Sequence, residues 1–488
     1  MKTKQQDRNK VNRRDFLRLA TLAGGGALLA ACGAPTATEK PAEQPTAAAE
    51  QPTATTAEQP TPAGVIVNPE VTGDQVKISW WNQFSTPTCQ EWFPKIVKDF
   101  EDKNPNIKVA FEITGGPPGG GNFTEVLLAR IAAGNPPDAC TVWDPPSGYG
   151  ARGAFMAIDE LMSGAKNAKK DGFVENVLKT CQFKGATYGL PASAGPGNEF
   201  INVKLFQDKN LSTKREDMPK TWDEYKALSA KFTKWEGDNL ALAGGIPWAA
   251  GWLYPLWIQL NGGLWFDSQN LQYKLDSDQN AQWLDYWVKW LDEQYNGDIE
   301  KLNTQASWGD VYPNSAYQLG RIAIQESGSW ACTDAQIPFE WEIFKFPVGP
   351  SGSKQLADFW PNWFAMPKGS PHPQEAFLFI EHMCTEGWVT WYVEAIMDIP
   401  AWKNFPRENV NKTLAKNIGP DRAKEINNFF LDYLNDAGEF WSSPIDAFAS
   451  DTLGQTVDAV LHKTKTPQAA LAEAQKVIQA KLEETMKA

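Results

Sequence analysis

The sequence predicts an α/β protein with enough chain for two lobes. Two observations carry this. Strand, helix, strand, helix and strand alternate between Val76 and Trp143, the order that builds a parallel sheet. The chain has 488 residues, and a little over 400 remain once a leader and a polar linker are set aside.

The leader runs from Arg13 to Cys32. Arg13-Arg14-Asp15-Phe16-Leu17-Arg18 precedes a short, glycine-broken apolar run that ends in Leu29-Ala30-Ala31-Cys32. A basic segment, an apolar segment and small residues before a cleavage point predict an export signal. The paired arginines resemble a twin-arginine signal, although Asn12 stands where that pattern has Ser or Thr. Leu-Ala-Ala-Cys resembles the bacterial lipobox, which makes Cys32 the expected lipidated first residue of a mature chain. The 14 residues from Leu19 to Cys32 are too few to span a bilayer, which takes about 20. Residues 33–73 read as a tether rich in Ala, Pro, Thr, Glu and Gln, with Ala-Glu-Gln-Pro-Thr at 42–46, 49–53 and 57–61. As a flexible coil it would reach about 35 Å.

Folded structure is expected from Val76-Lys77-Ile78-Ser79-Trp80-Trp81, a β-branched and aromatic strand. A helix follows with Phe93, Ile96, Val97 and Phe100 on one face, and Asn104-Pro105-Asn106 ends it. Ile107 to Ile113 alternates as a second strand, and a Gly/Pro loop (Gly115 to Gly121) leads to a helix from about Phe123 to Ala133. The third strand is Ala139 to Trp143. Later elements are a strand near Glu199 to Asn202 and a capping box at Thr221-Trp222-Asp223-Glu224, opening a helix with Tyr225, Leu228 and Phe232 inward. A helix over about 278–295 carries Trp283, Trp287, Trp290 and Leu291 at i, i+4, i+7 and i+8. Ile322-Ala323-Ile324 and Trp363 to Met366 read as short strands, and the chain from about Gln374 as mostly helical.

Net charge is −13. Residues 1–31 hold seven Lys/Arg and two Asp/Glu, a contribution of +5, so the remainder stands at −18. That balance argues against nucleic acid and against adhesion to anionic lipid, leaving Cys32 as the expected membrane attachment. Beyond Cys32 the cysteines are Cys89, Cys140, Cys181, Cys332 and Cys384, an odd number. One or two disulfides are allowed, but buried small hydrophobes are the preferred reading.

Several stretches together resemble the sugar-type extracellular solute-binding proteins, family 1, of ABC transporters, the maltose-binding-protein-like group. These are Asp99-Phe100-Glu101 with Asn104 to Val109, Ala133-Gly134-Asn135-Pro136-Pro137-Asp138, Tyr188-Gly189-Leu190-Pro191, Pro219 to Glu224, and Gly320-Arg321-Ile322-Ala323 before Gly328-Ser329-Trp330. Phe200-Ile201-Asn202 departs from the family's aromatic pair before Asn, and the loop at 115–121 is long. The resemblance implies a two-lobe periplasmic-binding-protein-like fold of type II, with hinged lobes around a central cleft. It implies an N-terminal lobe at 74–194 plus 358–396 and a C-terminal lobe at 195–357 plus 397–488. It also implies a carbohydrate ligand, ABC permease partners, a monomer and no cofactor.

A sugar site needs flat aromatic platforms with a few placed polar groups. Ligands of open α/β sheets bind outside the carboxyl ends of the strands. That rule selects Trp81, Asn82 and Phe84 after the first strand, and Trp143 and Asp144 after the third. The resemblance adds Trp252, before the helix leading to Gly262-Gly263, and Trp330. Glu199, Asn202, Trp360, Trp363, Asp398 and Trp441 complete the candidates. Trp283, Trp287 and Trp290, at helical spacing, are expected in the core. Enzymatic signatures are missing: there is no HExxH, no GxSxG, and no Lys-Ser/Thr after the glycines at 115–121. Asp276, Asp278 and Asn280 imitate the start of a calcium loop, but Ala281 and Trp287 occupy its Gly and Glu positions. A helix-capping role is preferred and no metal is expected. Two readings stay open beside sugar binding: a binding protein for a peptide, polyamine or organic acid, and a secreted glycan-active enzyme, since paired carboxylates can be distant in sequence.

Overall fold

The computed structural model describes residues 64–113, 123–268, 270–309, 311–438 and 443–487. The lipobox, the Gly/Pro loop and Trp441 lie outside the described residues.

The helix Pro87–Lys103 shows how local chemistry sets the first layer. The Thr86 side chain accepts from the Cys89 amide, Pro87 opens the first turn, and Asn104 closes the last. Its inward stripe is Cys89, Phe93, Ile96, Val97 and Phe100. This face covers a six-stranded mixed sheet in the order 65–67, 107–113, 76–81, 139–142, 363–365 and 190–191. The three expected strands are there and parallel: Val76–Trp81 pairs with Ile107–Ile113 on one side and Ala139–Val142 on the other. Ile107–Ile113 alternates buried and part-exposed along its length.

The tether expected over 33–73 ends sooner than its composition suggested. Val65–Val67 adds antiparallel to Ile107–Ile113, its three β-branched residues satisfying the sheet edge. Trp363–Ala365 also joins antiparallel, between Ala139–Val142 and Leu190–Pro191. A second sheet is wholly antiparallel, with Gly197–Asn202 between Ile324–Gly328 and Trp341–Phe344. The strand expected at Ile322 thus begins at Ile324, and Ile322 makes only an isolated bridge to Ala243.

Two separate hydrophobic cores result. One gathers buried residues between Ile78 and Ala194, then Phe359 to Ile396 and Ala401. The other gathers Phe200 to Leu356, then Tyr392, Met397, Ile399 and Phe405 to Leu482. In the second, the helix Asp278–Gln294 buries Trp283, Trp287, Trp290 and Leu291 as its spacing predicts. Its cap is Ser277, whose side chain accepts from the Asn280 amide, rather than the acidic neighbours. The capping box of Thr221 and Glu224 is present.

The chain passes between the cores where several segments lie side by side. Ala194 N donates to Ile399 O (2.7 Å), Trp360 N to Gly195 O (2.9 Å) and Gly197 N to Asp358 O (3.3 Å). Gly195 has φ +49°, and a Cβ there would run into the Trp360 carbonyl, so this crossing requires glycine. The five described cysteines are free and buried. Among the described residues no helix is long and apolar enough to cross a membrane.

Candidate functional site

Beside these crossings, between the two cores, lies a cavity of about 340 Å³. The first core supplies Phe84, Thr86, Cys89, Trp143 and Trp391 to its wall. The second supplies Trp252, Tyr312, Trp330 and Asp334, and the crossing segments add Trp360, Asn362 and Asp398.

Each side chain is aimed by its own neighbours. Asn82 closes a small loop after the first strand, with Oδ1 accepting from Phe84 N (3.2 Å) and Nδ2 donating to Phe84 O (3.0 Å). That loop turns Phe84 toward Trp143, with ring centroids 6.0 Å apart and planes at 72°. Trp143 directly follows the strand Ala139–Val142 and is 49% exposed, a large value for an indole. Asp144 is held beside it by Thr124 Oγ1 (3.1 Å) and the Tyr149 hydroxyl (3.2 Å). Across the cavity Trp252 stands 6.1 Å from Trp330 and 5.2 Å, edge-on, from Trp360. Trp330 packs against both cores.

The polar wall is acidic. Asp334 accepts from the Tyr312 hydroxyl (3.1 Å) and from Thr88 Oγ1 (3.5 Å), a contact that links elements of the two cores. Asn362 Nδ2 donates to Asp398 Oδ2 (2.7 Å) and to Ser193 Oγ (3.1 Å). Asp398 Oδ1 has no partner. Burial pushes the Asp398 carboxyl up to about 7, opposed by the Ser193 and Asn362 side chains. Behind Trp360, Asp358 Oδ2 accepts from the indole Nε1 (2.5 Å), and burial raises that carboxyl to about 8.

Phe84, Trp143, Trp252, Trp330, Trp360 and Asp398 thus come together, with Asn82 and Asp144 supporting them. Four candidates are placed elsewhere. Trp81 stacks under the Arg130 guanidinium (4.5 Å) and lines a separate groove with Ile66 and Val67. Trp363 is fully buried and donates Nε1 to Thr180 Oγ1 (2.7 Å), because its strand is covered on both faces. Asn202 caps the short helix Val203–Gln207. Glu199 lies within the second core opposite Glu326, accepting from the Tyr225 hydroxyl (3.3 Å), and burial lifts the carboxyls of both, Glu326 to about 8. The wall also includes Thr86, Cys89, Tyr312, Asp334, Asn362 and Trp391, which the sequence reading missed. Of these only Trp391 carried a signal, as an aromatic in a late helix, and that signal favours the core.

Comparison with known proteins matches the family model described as bacterial extracellular solute-binding protein over residues 85–390. The multiple sugar-binding protein of Streptococcus mutans is 24% identical over 359 residues, which are 70% of this chain and 80% of that protein. An ABC substrate-binding protein from Listeria monocytogenes, solved in complex with cycloalternan, is 20% identical with a TM-score of 0.68, covering 84% of this chain and 100% of that one. The protein CpMnBP1, solved with mannotriose bound, is 23% identical with a TM-score of 0.67, covering 82% and 99%. The likeness to these structures shows the two-lobe binding-protein fold, while the family match covers well over half of the chain. The chain belongs to the bacterial extracellular solute-binding proteins.

Proposed function

We propose that the protein captures an oligosaccharide outside the cell in the aromatic cavity between its two cores and delivers it, unaltered, to an ABC importer. The observation that carries this is the wall itself: Trp143, Trp252, Trp330 and Trp360 offer flat apolar faces beside a few placed polar groups, the complement of a sugar's C–H faces and hydroxyl edges. The names of similar proteins, one multiple sugar-binding and others solved with mannotriose or cycloalternan, support the same class. The two cores are the two lobes, with boundaries near 194/195, 357/358 and 396/397, and the crossings are the hinge. Ligand favours the closed form, and the permease reads that form. The chain acts by binding, not bond cleavage, as a monomer held outside the membrane by lipid on Cys32.

Titration of intrinsic tryptophan fluorescence and of melting temperature with mannotriose, maltotriose, cycloalternan, a peptide mixture and spermidine tests this. A carbohydrate should quench, raise the melting temperature and be recovered intact. Response to the peptides or spermidine alone would refute the sugar assignment, and cleaved sugar would refute binding without catalysis. Radiolabelled fatty acid should enter the wild type and not Cys32→Ala.

A further inference from the structure

Resting on that reading, we infer that the ligand is a basic sugar, carrying a protonated amine that docks between Asp398, Asp334 and the indole faces.

The charge of the wall is one-sided. It holds two carboxyls, Asp334 and Asp398, and no Lys, Arg or His among its described residues. The partners of both are neutral: tyrosine and threonine hydroxyls on Asp334, an amide on Asp398. A third carboxyl, Asp358, is 3% exposed directly behind Trp360. With no counter-charge in the wall, burial favours the protonated form of these carboxyls. A cation supplies that counter-charge.

The free hydrogen-bonding capacity points the same way. Asp398 is 4% exposed, lines the cavity, and its Oδ1 accepts from nothing. Three donors in the wall are committed inward: Asn362 Nδ2 to Asp398 and Ser193, the Tyr312 hydroxyl to Asp334, and Trp360 Nε1 to Asp358. The buried wall atom without a partner, Asp398 Oδ1, is an acceptor, matched by an ammonium N–H. The aromatic faces reinforce this, since indoles attract cations most strongly when water is excluded. Donation from Trp360 to the Asp358 carboxyl makes that ring richer in electrons.

A matched series isolates the charge. The β-1,4-linked trimers of glucosamine, N-acetylglucosamine and glucose differ at C2 in bearing an ammonium, an acetamide or a hydroxyl. Calorimetric titration of the intact chain at pH 7, where Asp398 is about half ionised, should show the glucosamine trimer binding at least about tenfold tighter than the other two, with affinity falling as salt rises. Asp398→Asn and Asp334→Asn, each checked for an unchanged far-UV spectrum, should shrink that preference to about twofold. Equal or tighter binding of the neutral trimers would overturn the charge assignment and leave carbohydrate binding standing. Binding of choline or spermidine with no response to any trimer, mannotriose or maltotriose would uphold the cation site and overturn the sugar. Silence of every probe would overturn both. The wild-type series decides even if the variants fail to fold.

Discussion

Gly328 is the most discriminating place to perturb the cavity without touching it. It ends the strand Ile324–Gly328, two residues before Trp330. A Cβ at this position would meet the Cη2, Cζ3 and Cε3 atoms of the Trp330 ring at well under 3.0 Å, where ordinary contact begins at 3.4 Å. The Gly328 backbone is not left-handed, so alanine is conformationally permitted and the collision is the whole effect. One of the two must move. Forced overpacking costs about 1–3 kcal/mol where the surroundings are rigid. Trp330 is only partly buried, with the cavity on one side, so the cheaper escape tips the indole toward Trp252, 6.1 Å away. Stability should therefore fall by about 1 kcal/mol. The displaced platform loses ring contacts worth about 0.5–1.5 kcal/mol each. With the contact to Trp252 disturbed and the ring's ligand-facing surface tilted, Gly328→Ala should weaken the best carbohydrate of the panel by about tenfold, 1.4 kcal/mol being one decade. Calorimetry gives the affinity and urea midpoints give the stability. Repeating the change in Trp330→Ala closes the argument: with the ring gone, the added methyl should cost nothing further. Undiminished affinity in Gly328→Ala, or a cost that persists without the ring, would refute this account.

Two further outcomes separate structural from binding groups. Trp363→Ala should cost about 3–5 kcal/mol, as for other large buried aromatics, and leave affinity within twofold where the protein stays folded; a stable variant that no longer binds would return Trp363 to the site. Asp398 gives a pH signature. Its folded-state carboxyl sits at about 7 against about 3.9 in the unfolded chain, so the folded state holds the extra proton in that interval. Its stabilising contribution is then complete below about pH 4 and is lost as pH rises through 7. Between pH 5 and pH 8 the melting temperature of wild type should drop further than that of Asp398→Asn, and parallel curves would contradict it.

What the sequence made legible follows from how its signals arise. Ile107–Ile113 was readable because a half-covered strand alternates, and Asp278–Gln294 because tryptophans four and three residues apart share one helical face. Phe84 and Trp143 were found by a topological rule that needs only strand order. Gly197–Asn202 defeated the same reasoning. All six of its residues are buried, so Glu199 inside the sheet looks no different in sequence from a carboxylate at a cleft. Trp363 misled for the same reason, in a strand buried throughout. Tyr312, Asp334, Asn362 and Trp391 meet only when the cores are assembled, and no local period encodes that. Val65–Val67 was concealed by length, three residues behind a low-complexity run.

On the proposed function, the position of Trp330 would couple binding to a change of shape. The indole packs against both cores and faces the cavity, with Thr88 reaching Asp334 nearby as a polar link between elements of the two sides. A ligand resting on that ring fills space that otherwise separates the cores. Its contact energy therefore depends on how closely they approach, which is the condition for shifting a conformational equilibrium; a ligand touching one core alone would bind both forms equally and shift nothing. The crossing segments are tied together by backbone hydrogen bonds, Gly195 to Trp360, Gly197 to Asp358 and Ala194 to Ile399, so movement of one draws on the others. On this argument a ligand too short to touch Trp143 and Trp330 together would bind without closing the lobes. Small-angle scattering of the protein with a monosaccharide and with its trimer should then show compaction for the trimer only, and equal compaction by both would break the link between spanning and closure.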